Sequence, residues 1–289
     1  MKLLALLLAL LAFLGISFSP PAKKPVPLWS FRSLDTVKYS RDVAREKLDR
    51  PDFDLTIDQQ VQEIASTGAS HVAIGTPYDS EFLPFLRRWV AAARKYHLNV
   101  WFRGNWSGWE GWFSYPRITP AQHQTLTQEF ILHHSDLFVD GDVFTACTEC
   151  ENGVLGDPRN TGQVVAYRQF LIGEYQQTKK AFAKIGKNVR SNFDSMNRDV
   201  ALVVMDKETT AQLDGLVVID HYVASPDNLS KDVRGIAKKS VLVRLSQLPE
   251  LVGLNYWVSV GGSTQLWDDL GNARPAANIL SIFYHKAKT

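Results

Sequence analysis

Short β-branched and aromatic runs alternate along the chain with longer amphipathic stretches, the pattern of a parallel sheet with crossover helices. Eight runs predict strands: Val26–Phe31, His71–Pro77, Leu98–Asn105, Asp142–Glu149, Asn188–Asp194, Gly215–Val223, Ser240–Val243 and Val252–Val260. Helical periodicity fills most of the intervals. The segment from Thr56 to Ala69 has Thr56 as its expected N-cap, Val61, Ile64 and Ala65 on one face, and Gly68 as its stop. Ser80–His97, Thr119–His134 and Val164–Gly186 follow the same plan. Eight strands with intervening helices predict an α/β fold, a (β/α)8 TIM barrel whose site lies at the C-terminal strand ends.

The first 25 residues change the picture of where this barrel works. One lysine precedes an apolar run from Leu3 to about Phe18, and prolines and lysines follow. This is an export signal, either a cleaved signal peptide or a retained N-terminal anchor that would attach the protein to a membrane. The expected location is secreted or in the cell envelope. Residues 26–289 carry no linker or compositional break and are read as one barrel domain. The net charge of +2 comes from scattered residues rather than a basic stripe, so nucleic acid is not an expected partner. No feature specifies an oligomeric state.

Polar and aromatic residues gather at the predicted strand ends: Arg32, Tyr78, Asp79, Arg103, Asn105, Glu149, Glu151, Asn192, Asp194, Asp220, His221, Tyr222 and Trp257. Several of the eight tryptophans lie in glycine-flanked loops, among them Trp106 and Trp109 in the run from Arg103 to Pro116. Flat aromatic faces in such loops suit the stacking of sugar rings. The only two cysteines, Cys147 and Cys150, have thioredoxin-like spacing but fall at a strand end rather than opening a helix. The readings are a thiol or metal motif, two small rim residues, or a local disulfide; no further cysteine pair or spaced histidines complete a zinc site. Nothing in the sequence calls for a cofactor. Glu149 and Glu151 share the parity of Cys147, so an extended strand would turn all three to one side. A glutamate partly buried among aromatics at that rim is suited to protonate a leaving oxygen.

The strand-four sequence TECE, the DHY at strand six and the NYW at strand eight together make the chain resemble the (β/α)8 glycoside hydrolases of clan A, which include the family 5 cellulases and mannanases. The resemblance implies an exported hydrolase of β-linked poly- or oligosaccharides with Glu149 as acid/base and Glu151 as the fallback. It further implies that Arg103 and Asn105 contact substrate or carboxylates, that His221 and Tyr222 lie beside the nucleophile, and that Trp257 floors the central sugar subsite. Trp106 and Trp109 would extend that sugar platform. Two departures stand against the pattern. Thr148 precedes Glu149 where the family has asparagine, and Arg244 and Leu245 occupy the place of the strand-seven nucleophile. The interval from Val243 to Val252 is also too short for a full loop and helix, so the barrel is expected to be imperfect at strand and helix seven. Asp220, Glu110 and Glu250 are the carboxylates left to replace the nucleophile, Asp220 being the best placed. The alternative is a non-catalytic carbohydrate-binding barrel that has lost its nucleophile.

Overall fold

A computed structural model describes residues 31–36, 43–220, 253–257, 259, 265–268 and 270–286. The N-terminal apolar run, His221, Tyr222, Glu250 and the expected seventh strand lie outside the described residues. Seven strands are described: β1 (Phe31–Asp35), β2 (His71–Ile74), β3 (Asn99–Phe102), β4 (Val143–Phe144), β5 (Ser195–Asn197), β6 (Val218–Asp220) and β7 (Gly253–Tyr256). Parallel pairing gives the order β4-β3-β2-β1-β7 and, separately, β5-β6. A parallel bridge from Val143 to Arg190, with the Phe144 amide donating to the Arg190 carbonyl at 2.8 Å, joins the two groups. The strand closing against β1 is the one expected as the eighth, with Ser33 opposite Asn255 in register. That is the closure of a (β/α)8 barrel.

One strand expectation shifts, and that for the first strand, Val26–Phe31, lies outside the described residues except at Phe31. The first strand runs from Phe31 to Asp35, so its rim residue is Asp35, while Arg32 points to the Gly68 carbonyl through its Nε. The fifth is bridged at Arg190 and resumes as β5 beyond Asp194. In the fifth, polar Ser195 faces the barrel interior and continues the strand beyond the run on which the expectation rests.

Helices α1 (Phe53–Ser66), α2 (Leu83–Lys95), α3 (Pro120–His133), α4 (Val164–Lys184), α5 (Arg198–Val204), α6 (Lys207–Gln212) and α7 (Pro275–Lys286) accompany the strands. In α1 the residues Phe53, Ile57, Val61 and Ile64 make the buried stripe, and the helix begins before Thr56, which is not its cap. A capping box fixes the start of α3: the Gln122 amide donates to Thr119 Oγ1, and the Thr119 amide donates to Gln122 Oε1.

The period of two along the strands separates two cores. Leu34, Val72, Ile74, Val100, Phe102 and Phe144 face the helices and join the large apolar cluster. Phe31, Ala73, Trp101, Val143 and Phe193 face inward and form a second, smaller cluster that fills the barrel. A side chain at Gly253 would meet the Phe31 carbonyl oxygen at 2.3 Å, so β7 approaches β1 with a glycine at this level. One step further along the same inward face come Ser33, Asp35, Arg103, Thr145, Ser195, Asp220 and Asn255. The polar rim thus stands directly on an aromatic floor.

Candidate functional site

Arg103, just beyond β3, is the hub of that rim. Its side chain is 7% exposed. One terminal nitrogen donates to Asp35 Oδ2; the other donates to both oxygens of Asp220, at 3.0 and 3.1 Å, and to Ser195 Oγ at 3.3 Å. Asn255 Nδ2 adds a 3.1 Å bond to Asp35 Oδ2. The guanidinium carbon lies 5.2 Å from the Trp101 ring centroid, on the aromatic floor. Burial opposes the charge of Arg103, but Asp220, Asp35 and Glu149 outweigh it and hold the guanidinium above its ordinary value. Asp35 is fully buried, whereas Asp220 keeps 21% of its side chain exposed. Of the two carboxylates, Asp220 is therefore the one that a ligand in the barrel mouth can reach.

Glu149 lies within range of that charge but not on a strand. β4 ends at Phe144, and Cys147 to Cys150 form a turn whose Cα ends are 5.4 Å apart, joined by a disulfide. The parity argument for Cys147, Glu149 and Glu151 fails for that reason: the backbone turns before Glu149. Glu149 adopts the left-handed conformation, φ 49° and ψ 54°, which for a non-glycine residue is unfavourable and must be held by its surroundings. Its amide donates to the Ser195 carbonyl at 3.0 Å. Thr148, in the place of the family's asparagine, donates its hydroxyl to the Arg103 carbonyl at 3.1 Å.

Glu151 is buried. Its carboxylate accepts the Asn197 amide at 2.6 Å and the Tyr167 hydroxyl at 3.3 Å, and burial raises its pKa against these bonds. Asp194, also buried, accepts the amides of Ala146 at 2.9 Å and Cys147 at 3.1 Å, and burial pushes it up to about 8.

Asn105 is buried with both ends of its amide engaged. Nδ2 donates to Glu110 Oε1 at 2.8 Å, and Oδ1 accepts the Trp106 amide at 2.9 Å and faces His123 Nε2 at 3.1 Å. His123 in turn pairs with buried Glu174 at 2.6 Å. Trp106 and Trp109 correct the expectation of a loop platform. Trp106 is buried and donates its indole N–H to Thr127 Oγ1 at 3.0 Å. Trp109 is fully buried and stacks on Phe170 at 4.8 Å, so no face remains for a sugar. Their glycine-rich loop folds inward under α3 and α4. Trp257, just past β7, is 41% exposed and presents the open aromatic surface at this rim. Among the described residues, no group of three His, Cys, Asp or Glu side chains is arranged to hold a metal ion.

Sequence reading missed Asp35, Ser195 and Asn255. The usable signal is the alternation Phe31-Ser33-Asp35, which puts a carboxylate on the inward face two steps beyond an aromatic. The disulfide resolves the three readings of the cysteine pair in favour of the local bridge, and both sulfurs are buried.

No family model matches the sequence, and no curated protein matches it significantly. Solved structures do. A β-mannanase of Thermomonospora fusca in complex with mannotriose aligns with a TM-score of 0.52 at 11% identity, over 90% of this chain and 91% of that one. An exo-β-1,4-mannosidase from an Opitutaceae bacterium, strain TAV5, aligns with a TM-score of 0.53 at 9% identity, over 89% of this chain and 59% of that one. At these identities the likeness is one of fold. The chain has the TIM-barrel fold found in glycoside hydrolases.

Proposed function

We propose that the chain is an exported glycoside hydrolase that cleaves a β-linked poly- or oligosaccharide, with Glu149 as the acid/base. The observation that carries this reading is the rim itself: Arg103 clamps Asp220 at the mouth while Glu149 is held in a left-handed turn within range of the same guanidinium. Glu149 protonates the glycosidic oxygen as the bond to the anomeric carbon breaks, and Asp220, aligned by Arg103, serves the opposite face of the sugar. The water that completes hydrolysis delivers its hydroxyl to the anomeric carbon and returns the proton to a rim carboxylate. Trp257 offers the stacking surface, and Asp35 balances the charge of Arg103 from below.

One observation favours a second reading, a barrel that binds glycan without cleaving it. Arg244 and Leu245 replace the expected nucleophile, and Asp220 already has a cationic partner. The two readings separate on reducing-end release from mannans, β-glucans and xylans by residues 26–289, with Glu149→Gln and Asp220→Asn measured beside it. Turnover lowered about a thousandfold by each change supports the hydrolase. Binding of one glycan without turnover moves the conclusion to the lectin-like barrel.

A further inference from the structure

The turn that carries Glu149 is built unlike the rest of the rim. Thr148 and Glu149 are its two central residues, and the second of these sits at the position where a left-handed backbone normally calls for glycine or asparagine. A glutamate there is disfavoured unless something else closes the turn. What joins its two ends is the Cys147–Cys150 bond. The residues before the turn are fixed as well: the amides of Ala146 and Cys147 both donate to Asp194 Oδ1. The sulfur of Cys147 lies 3.7 Å from Asn105 Nδ2, and Asn105 is itself held by His123, which Glu174 backs. Beyond the turn, the Asn152 amide donates to the Glu149 carbonyl and the Gly153 amide to the Cys150 carbonyl, each at 2.9 Å. Gly153 then passes so close to Trp109 that a Cβ there would meet the indole nitrogen at 1.6 Å. The segment is therefore anchored on both sides, and the disulfide is the covalent cross-link that closes the turn between the anchors.

We propose that the Cys147–Cys150 disulfide is a positioning element for Glu149, closing the turn that presents its carboxylate at the rim, and that the site is competent only in the oxidised protein. The proposal rests on the hydrolase reading for what competence means, but the geometry of the turn stands apart from it. Forming the bond removes two protons and two electrons from the two thiols to a disulfide-bearing oxidant, as supplied in the compartments that exported proteins enter. A dithiol reverses it: its thiolate attacks one sulfur, and closure of the dithiol into its own ring disulfide releases both cysteines as thiols. Both sulfurs are buried, so reduction has to wait for the segment to open, and the clasp persists in the folded protein under mild reducing conditions.

The test compares the wild-type protein with Cys147→Ala/Cys150→Ala by amide hydrogen exchange and, separately, by steady-state kinetics on the member of the mannan, β-glucan and xylan panel that the wild-type protein cleaves. The expected result is at least tenfold faster exchange in peptides covering 146–153, with β2 and β3 unchanged, and a tenfold lower kcat at a KM within twofold. Equal exchange in the two proteins overturns the proposal, as does faster exchange with an unaltered kcat. Should the variant lose protection throughout the barrel, wild-type protein reduced with dithiothreitol, scored by its mass gain of two hydrogens, supplies the same local comparison. A wild-type protein without turnover refutes the hydrolase reading alone, because exchange still reports whether the disulfide holds the turn.

Discussion

Replacing Arg103 by methionine removes the charge at the centre of the rim and keeps most of the side-chain length. Asp35 is fully buried and loses the guanidinium it pairs with, while the Asn255 amide stays among its partners. Breaking a buried pair by removing one partner costs about 3–5 kcal/mol, because the remaining charge stays out of water with less to compensate it. No discount for solvent applies at Asp35, whereas the Asp220 arm is 21% exposed and recovers part of its hydration. For a domain of this size the loss corresponds to a fall in melting temperature of roughly 6–20 °C. Urea denaturation of Arg103→Met, Asp35→Asn and the double variant measures it. The double variant is expected to be more stable than Arg103→Met alone, since the orphaned carboxylate is gone, with a coupling of roughly 1–3 kcal/mol. A loss below about 1 kcal/mol in Arg103→Met, the size for an exposed pair, or simple additivity in the cycle, refutes the idea that these charges are held out of water.

Two further outcomes follow from burial. Trp109→Ala is expected to cost about 3–5 kcal/mol of stability through the cavity left beside Phe170, seen as a lower urea midpoint; full stability with weakened glycan binding would restore Trp109 to the sugar platform. Asp194 titrates at about 8 in the folded protein and at about 4 when unfolded. Between those values the folded state holds the extra proton, so stability falls as pH rises through this window. Asp194→Asn lacks that titration, and its urea midpoint relative to wild type should climb steadily from the acid to the alkaline end; a level difference contradicts the assignment.

The alternation of strands and helices was legible because β2 and β3 are buried on both faces and read as unbroken apolar runs. The rim was less so. Asp35 and Ser195 face the barrel interior at positions where a polar residue looks like the end of a strand or a loop, so the sequence pattern ends the fifth strand at Asp194 and does not mark Asp35. Arg103 and Asp220 stand at or just beyond the ends of β3 and β6, inside the runs that the sequence marks as strands, whereas Glu149 lies five residues past the end of β4. Trp106 and Trp109 were misjudged for a different reason. Glycine and asparagine neighbours suggest exposure, but α3 and α4, which cover that loop, come later in the sequence, and only tertiary packing brings them over it. The parity of Cys147, Glu149 and Glu151 assumed that β4 continued, and a disulfide-closed turn interrupts it.

The bonds of Arg103 reach 68 residues back to Asp35 and 117 forward to Asp220, and Asn255 meets Asp35 across 220 residues. Contacts of such separation form late in folding, after helices and neighbouring strand pairs, because the loops they close are the longest. Asp35 gains its amide partner only when β7 docks on β1. During synthesis that event waits for Gly253–Tyr256 to emerge, more than 200 residues after Asp35. Until then the growing barrel carries a buried-to-be carboxylate at its open edge, held in water and ionised. A half-barrel fragment of β1 to β4, however well its own strands pair, holds Asp35 and Arg103 but lacks Ser195, Asp220 and Asn255, and so has no assembled rim.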